Sequence, residues 1–256
     1  MKNNGWNPTR RNRKIGTEDQ GFGQDNRFCI PQRWSDDRVF WEKLNNPVKI
    51  DLKVRANEFL VFVEPTKKDY THSCTIDDLE KILNLIPDRY INDIDMFIFR
   101  QPKRKEEIVI SCWGRIGYWA NIGEKSGVAV FLEAQNINQP LKWKKSLTPS
   151  HVRELERLRE DGLEIEVTKR EYIIKQTLDS VRNTQLFRTL LHEIGHNNDP
   201  KPVERASQEK EDYAHKFAEK MRSKLISEGS IPFPKIFNKE SILACGMNPE
   251  WFLNNQ

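Results

Sequence analysis

Thr189-Leu190-Leu191-His192-Glu193-Ile194-Gly195-His196, followed by Asn197-Asn198-Asp199-Pro200, is the stretch whose reading decides this chain. Leu178, Val181, Leu186, Leu190, Leu191 and Ile194 recur at helical steps, so an amphipathic helix is predicted to run into His196 and to stop at the Asn-Asn-Asp-Pro run. Four residues span slightly more than one helical turn, which places His192 and His196 on one face with imidazoles able to converge on a single ion. Zinc accepts neutral imidazole nitrogen, and a hydrolytic site keeps three protein ligands with water in the fourth place. Glu193 lies about a quarter turn from His192, where a carboxylate reaches that water as general base and then hands the proton to a leaving amine. A chance H-E-x-x-H is rare in a chain with 5 histidines, and the helical context makes it rarer. Asn198 departs from the apolar residue that continues many such helices and predicts an early helix end.

Two histidines do not complete a hydrolytic site, so a third ligand must come from downstream. The segment Glu211-Asp212-Tyr213-Ala214-His215-Lys216-Phe217-Ala218 resembles the E-x-x-A-x-x-F-A helix that follows H-E-x-x-H in the ImmA/IrrE-like peptidases. It is also similar to the E-x-x-A-D helix of the M48 peptidases; both families are gluzincins. The resemblance covers residues 188–218 and implies that His192, His196 and Glu211 bind Zn2+ while Glu193 is the base. It further implies a narrow regulatory protease acting on a specific protein partner. His215 stands where the M48 pattern carries Asp, and is a candidate to support a ligand or stabilise an oxyanion; an ordinary packed histidine is the alternative. Tyr213 is a weaker candidate for polarising the scissile carbonyl and by helical phase reads as a core aromatic.

The residues themselves agree with that ligand set. A break at 197–202 lets a second helix, 203–226, fold back with Ala214 and Ala218 where close packing needs small side chains. Glu211 nevertheless sits in a charged run with Glu204, Glu209, Lys210 and Asp212, where a solvated carboxylate is the ordinary reading and Glu209 or Asp212 are substitutes. Asp199 is an awkward ligand so close to His196. A metzincin would place Gly at 199 and His at 202, where this chain has Asp199 and Pro202.

Outward from the motif, strands are expected within 48–63 and at 94–99, 108–118 and 128–134, with a helix over 75–86 capped by Thr75 and ended by Pro87. Short spacing favours antiparallel neighbours among the last three strands. Residues 148–160 read as a helix and 163–174 as a strand or ribbon. The expected fold is therefore α+β and zincin-like, with a mixed, mostly antiparallel sheet packed against helices that include the metal helix and the ligand helix after it. In such scaffolds an edge strand receives an extended peptide, and 128–134 is the expected shelf. Three regions are predicted: a flexible basic arm at 1–45, a metallopeptidase domain at 46–228 and an irregular extension at 229–256.

Composition narrows the remaining classes. The chain has 256 residues, and 42 basic against 38 acidic residues give a mixed surface with net charge +4. Cys29, Cys74, Cys112 and Cys245 lie far apart, which indicates neither a zinc ribbon nor a disulfide framework and favours a reducing, cytoplasmic setting. No apolar run has membrane-spanning length, and the start lacks the apolar run of a signal peptide. Trp6, the Arg10-Arg11-Asn12-Arg13-Lys14 cluster and Lys142-Trp143-Lys144-Lys145 carry the alternative reading, a nucleic-acid-associated or regulatory binding protein with a structural or vestigial zinc site.

Overall fold

β-branched and aromatic residues broken by charges make a hairpin at the start of the sheet: β1 (Val48–Val54) pairs antiparallel with β2 (Asn57–Val63). The computed structural model describes residues 40–103, 112–147, 149–200 and 206–253. The next strands are β3 (Met96–Arg100), β4 (Gly114–Ile122) and β5 (Lys125–Glu133), and the sheet order is β1-β2-β3-β5-β4. β2, β3 and β5 run parallel, while β4 pairs antiparallel with β5. The molecule is thus α+β with a mixed five-stranded sheet.

The order corrects the expected run of antiparallel neighbours: β3 lies beside β5, and β4 is the edge. The physical reason is burial. β3 is buried at every position, so both its neighbours must be apolar, and β5 carries an unbroken buried run from Ala129 to Leu132. β4 reads GRIGYWANI, with Tyr118 and Trp119 left exposed, a pattern that suits an edge. The segment 128–134 is therefore paired on both sides and is not the edge expected of a peptide shelf.

Strand alternation builds two apolar faces. Val61, Val63, Phe97, Phe99, Val130 and Leu132 belong to the main core, whereas Phe62, Met96, Ile98, Ala129 and Phe131 point the other way and pack with Trp41 and Leu44. Helix α1 (Ile76–Leu85) covers the main face with Leu79, Ile82 and Leu83, and starts at a capping box in which Thr75 and Asp78 satisfy each other's backbone amides. Asp78 also takes a buried ion pair from Arg182 at 2.8 Å and the backbone amide of Ile236 at 3.0 Å.

A second, three-stranded antiparallel sheet joins β6 (Leu141–Lys144), β7 (Glu164–Val167) and β8 (Glu171–Lys175) in the order β6-β8-β7. Helix α2 (Pro149–Glu160) packs on it through Leu155 and Leu158 against Leu163 and Ile174. The ribbon expected at 163–174 is the β7–β8 hairpin. The strand β6 was hidden in the basic run at 142–145, where Trp143 turns out to pack into this small core.

The helix expected to run from Leu178 into His196 is present and continuous, with one π-helical turn within it. Helix α3 (Leu178–Thr184), capped by Thr177, passes through a π-helical turn (Gln185–Thr189) into α4 (Leu190–Asn197). At the turn the Gln185 amide donates to the carbonyls of Trp113 and Glu133 and its oxygen accepts from Ser73, which ties the helix to the ends of the sheet. Helix α5 (Ser207–Ser227) follows; residues 201–205, 254–256, 1–39 of the arm expected at 1–45 and 108–111 of the strand expected at 108–118 lie outside the described residues, whereas Trp41 and Leu44 of that arm pack on the sheet. Among the described residues no helix is long and apolar enough to cross a membrane.

The segment expected to be irregular contains helix α6 (Lys239–Ala244) and a 3-10 turn (Pro249–Phe252), and it enters the main core through Phe233, Ile242, Met247 and Phe252. His72 meets it there. Its backbone amide donates to Trp251, its Nε2–H donates to the Glu64 carbonyl at 2.8 Å, and its ring lies against Phe99 and Phe252. Burial, which disfavours the charged ring, pushes its pKa from 6.5 down to about 4. The unfolded chain thus binds a proton between those values that the folded chain refuses, so stability is full above pH 6.5 and is lost as pH falls toward 4. Urea unfolding at pH 7 and pH 5 should show a loss of about 2 kcal/mol from this group, and His72→Gln should reduce that pH dependence by a comparable amount.

Candidate metal centre

Helices α4 and α5 approach closely because Gly195 has no side chain. A Cβ built there would meet the Ala214 carbonyl at 3.0 Å and Phe217 Cβ at 3.1 Å. Ala214 and Ala218 are buried in the contact, as their small size predicted. One turn before Ala214, the contact delivers Glu211 to the two histidines. His192 Nε2 lies 3.3 Å from Glu211 Oε2, His196 Nε2 lies 3.5 Å from Oε1, and the two Nε2 atoms are 3.0 Å apart.

Those separations are a test of fit. Ligand bonds of about 2.0–2.1 Å meeting at tetrahedral angles put donor atoms about 3.3–3.4 Å apart. The three distances bracket that value, and two imidazoles with a carboxylate are a donor set zinc accepts. His192 Nδ1, the ring nitrogen away from the cluster, is buried and has no hydrogen-bond partner among the described residues. The acceptor that usually orients a ligating histidine is therefore not supplied at that atom.

Charge in the site is strongly coupled. Hydrogen bonds from His192 and His196 hold the Glu211 carboxyl far below the usual carboxylate range, although the side chain is 47% exposed. Burial lowers the pKa of His196, but Glu211, Glu193 and Asp199 outweigh it and the net shift is upward. Glu193 is buried, and desolvation raises its carboxyl despite the opposing pull of His192 and His196. His215 is pushed down to about 4, first by burial and then by His192 and Arg157. Its ring centroid is 4.3 Å from that of His192, and ligand atoms of His192, Glu211 and His215 lie within 4.8 Å of one another.

The sequence candidates divide clearly by position. His192, Glu193, His196, Glu211 and His215 come together. Tyr213 donates its hydroxyl to the Asn198 carbonyl at 2.8 Å, bracing the end of α4. Asn198 caps that helix and donates to the carbonyls of Ile194 and Tyr90, so the early end expected from it is observed. Glu209 accepts from the Ala206 amide and Asp212 from Gln208, which gives both substitutes for Glu211 other partners. Cys112 contacts Arg115, and burial pushes its thiol up to about 11, away from thiolate chemistry. Trp6 and the cluster at 10–14 lie outside the described residues.

Two participants went unread in the sequence. Tyr118 projects from the edge strand at an irregularity between Gly117 and Ala120, and its hydroxyl donates to the His196 carbonyl at 3.1 Å. Burial raises its pKa, with Glu193, Asp199 and Glu211 adding to the shift. Adjacent aromatics in an otherwise alternating strand were the available signal. Arg157, on α2, stands 3.4 Å from His215 Nε2, and nothing in its helical pattern marked it.

Because three atoms at 3.0–3.1 Å leave no room for a side chain, Gly195→Val must separate α4 from α5. The expected result is a loss of about 1–3 kcal/mol in thermal unfolding together with weaker metal retention in dialysis, whereas Ile194→Val should cost stability while sparing retention. Comparison with known proteins gives no match for the chain, whether to family models, curated proteins or solved structures.

Proposed function

We propose that this chain is a zinc-dependent peptidase of the gluzincin type, with His192, His196 and Glu211 as ligands and Glu193 as general base. The observation that carries this reading is the spacing of the three donor groups at 3.0–3.5 Å with a buried carboxylate on the adjoining helical position. The ion, when bound, supplies a Lewis acid that makes water a nucleophile at neutral pH and polarises a carbonyl. Glu193 takes the proton from the attacking water and returns it to the leaving amine, and its burial favours the protonated form needed midway. The helix contact at Gly195 fixes the distance between this base and the ligand helix.

A zincin-like arrangement also fits the sheet. β4 is an edge strand, packs beside α4, and presents Tyr118 and Trp119, which are 44% and 86% exposed. An extended substrate peptide would add to that edge by main-chain hydrogen bonds, with its scissile bond toward the histidines. This supports a peptide or protein substrate; the narrow regulatory role rests on the resemblance of residues 188–218 alone.

The test is a mixed peptide library incubated with zinc-loaded protein, with new termini read by mass spectrometry. The parent chain should cleave, and Glu193→Gln should retain zinc while losing about 10²–10⁴-fold in rate. Equal cleavage by a zinc-retaining Glu193→Gln protein contradicts the assignment.

A further inference from the structure

The donor cluster holds one group more than a hydrolytic site can use. A catalytic zinc keeps three protein ligands and an open position, whereas four protein ligands close the site and make it structural. His192, His196 and Glu211 already supply three. His215, one turn beyond Glu211 on α5, has a ring nitrogen within 4.8 Å of ligand atoms of His192 and Glu211, close enough for a change of side-chain rotamer to bring it onto a shared ion. What decides whether the centre is open or closed is what holds His215.

Resting on the peptidase reading above, we infer that Arg157 is a positioning residue that keeps His215 off the metal and so holds the centre at three protein ligands. The argument follows from hydrogen-bond chemistry. A guanidinium is always protonated and has only donors, so beside Arg157 Nη1, at 3.4 Å, His215 Nε2 must present its lone pair. That lone pair is then engaged by Arg157, and in a neutral ring Nδ1 carries the hydrogen. Whichever nitrogen turns toward the ion, neither offers a free lone pair while this contact holds. The positive charge of Arg157 also opposes movement of a cation toward His215.

Arg157 is itself well fixed. Its side chain is 15% exposed, its Nη2 donates to Glu219 at 2.8 Å, and Glu154 lies 3.5 Å from Nη1. Glu219 lies on α5, one turn beyond His215, so the guanidinium links α2 to the ligand helix at the histidine and one turn beyond it. Helix α2 and the small sheet beneath it thereby acquire a role at the centre, although they supply no ligand.

The full-length chain loaded with Co2+ tests this through its visible spectrum and its Co2+ affinity, both independent of turnover. Parent, His215→Ala and Arg157→Lys should share one spectrum. Arg157→Met should shift and intensify the visible bands as His215 joins the ion, and should bind Co2+ about tenfold more tightly. Removing a positive charge could tighten binding by itself, so the double variant Arg157→Met/His215→Ala separates the effects: it should regain the parent spectrum. The inference is overturned if Arg157→Met keeps the parent spectrum, if the double variant keeps the shifted one, or if His215→Ala alone changes the spectrum, since the last result makes His215 a ligand already. A parent chain that takes up no Co2+ overturns the peptidase reading as well, whereas uptake with an unshifted Arg157→Met overturns this inference alone.

Discussion

The contact between Gly195 and Ala214 is the constraint on which the centre depends. Helices α4 and α5 must approach until backbone touches backbone, and only then does Glu211 come within 3.3–3.5 Å of both imidazoles. The apolar side of the same contact, Leu190, Leu191, Ile194, Ala218, Met221 and Leu225, belongs to the main core. Packing energy from burial therefore works directly on ligand geometry. A looser helix pair would leave a carboxylate in solvent, the ordinary fate of a glutamate in a charged run.

Buried ion pairs register the surrounding elements against that pair. Asp161 at the end of α2 takes Arg188 from the π turn at 2.9 Å and Arg222 from α5 at 3.0 Å, so one carboxylate joins three elements around α4 and α5. Asp78 and Arg182 join α1 to α3, and Arg100 pairs with Glu133 between neighbouring strands at 2.9 Å. Such pairs add little net stability over apolar replacements, because desolvation offsets their attraction. Breaking one is costly, however, since it strands the other charge, and this makes them effective at specifying a single arrangement.

Local physics made much of this legible in advance. The capping residue Thr75, the helical apolar stripe into His196, the early stop at Asn198 and the small residues Ala214 and Ala218 all express rules that act within a few residues. The approach of Glu211 to His192 and His196 was implied by the resemblance of residues 211–218 to a gluzincin ligand helix, whereas the α+β class followed from these rules. Strand order did not, because β3, β4 and β5 are each plausible neighbours in sequence and only two-sided burial of β3 decides between them. The π turn escaped notice because Gln185 makes its bonds to the distant carbonyls of Trp113 and Glu133. Arg157 and Tyr118 were hidden for the same reason: each acts across the fold on a residue at least 58 positions away.

The edge strand, the buried Glu193 and the three-donor cluster meet on α4, and the proposed function gives each a chemical meaning. A carboxylate as buried as Glu193 is costly without compensating charge, and under the proposed reading a metal ion held by its neighbours would supply it. The central claim is thus metal occupancy by His192, His196 and Glu211. Elemental analysis of the purified chain beside Glu211→Ala, after dialysis at one zinc concentration, tests it most directly. The account predicts one zinc per parent chain and a large loss in the variant; a parent chain without zinc, or equal zinc in both proteins, would contradict it.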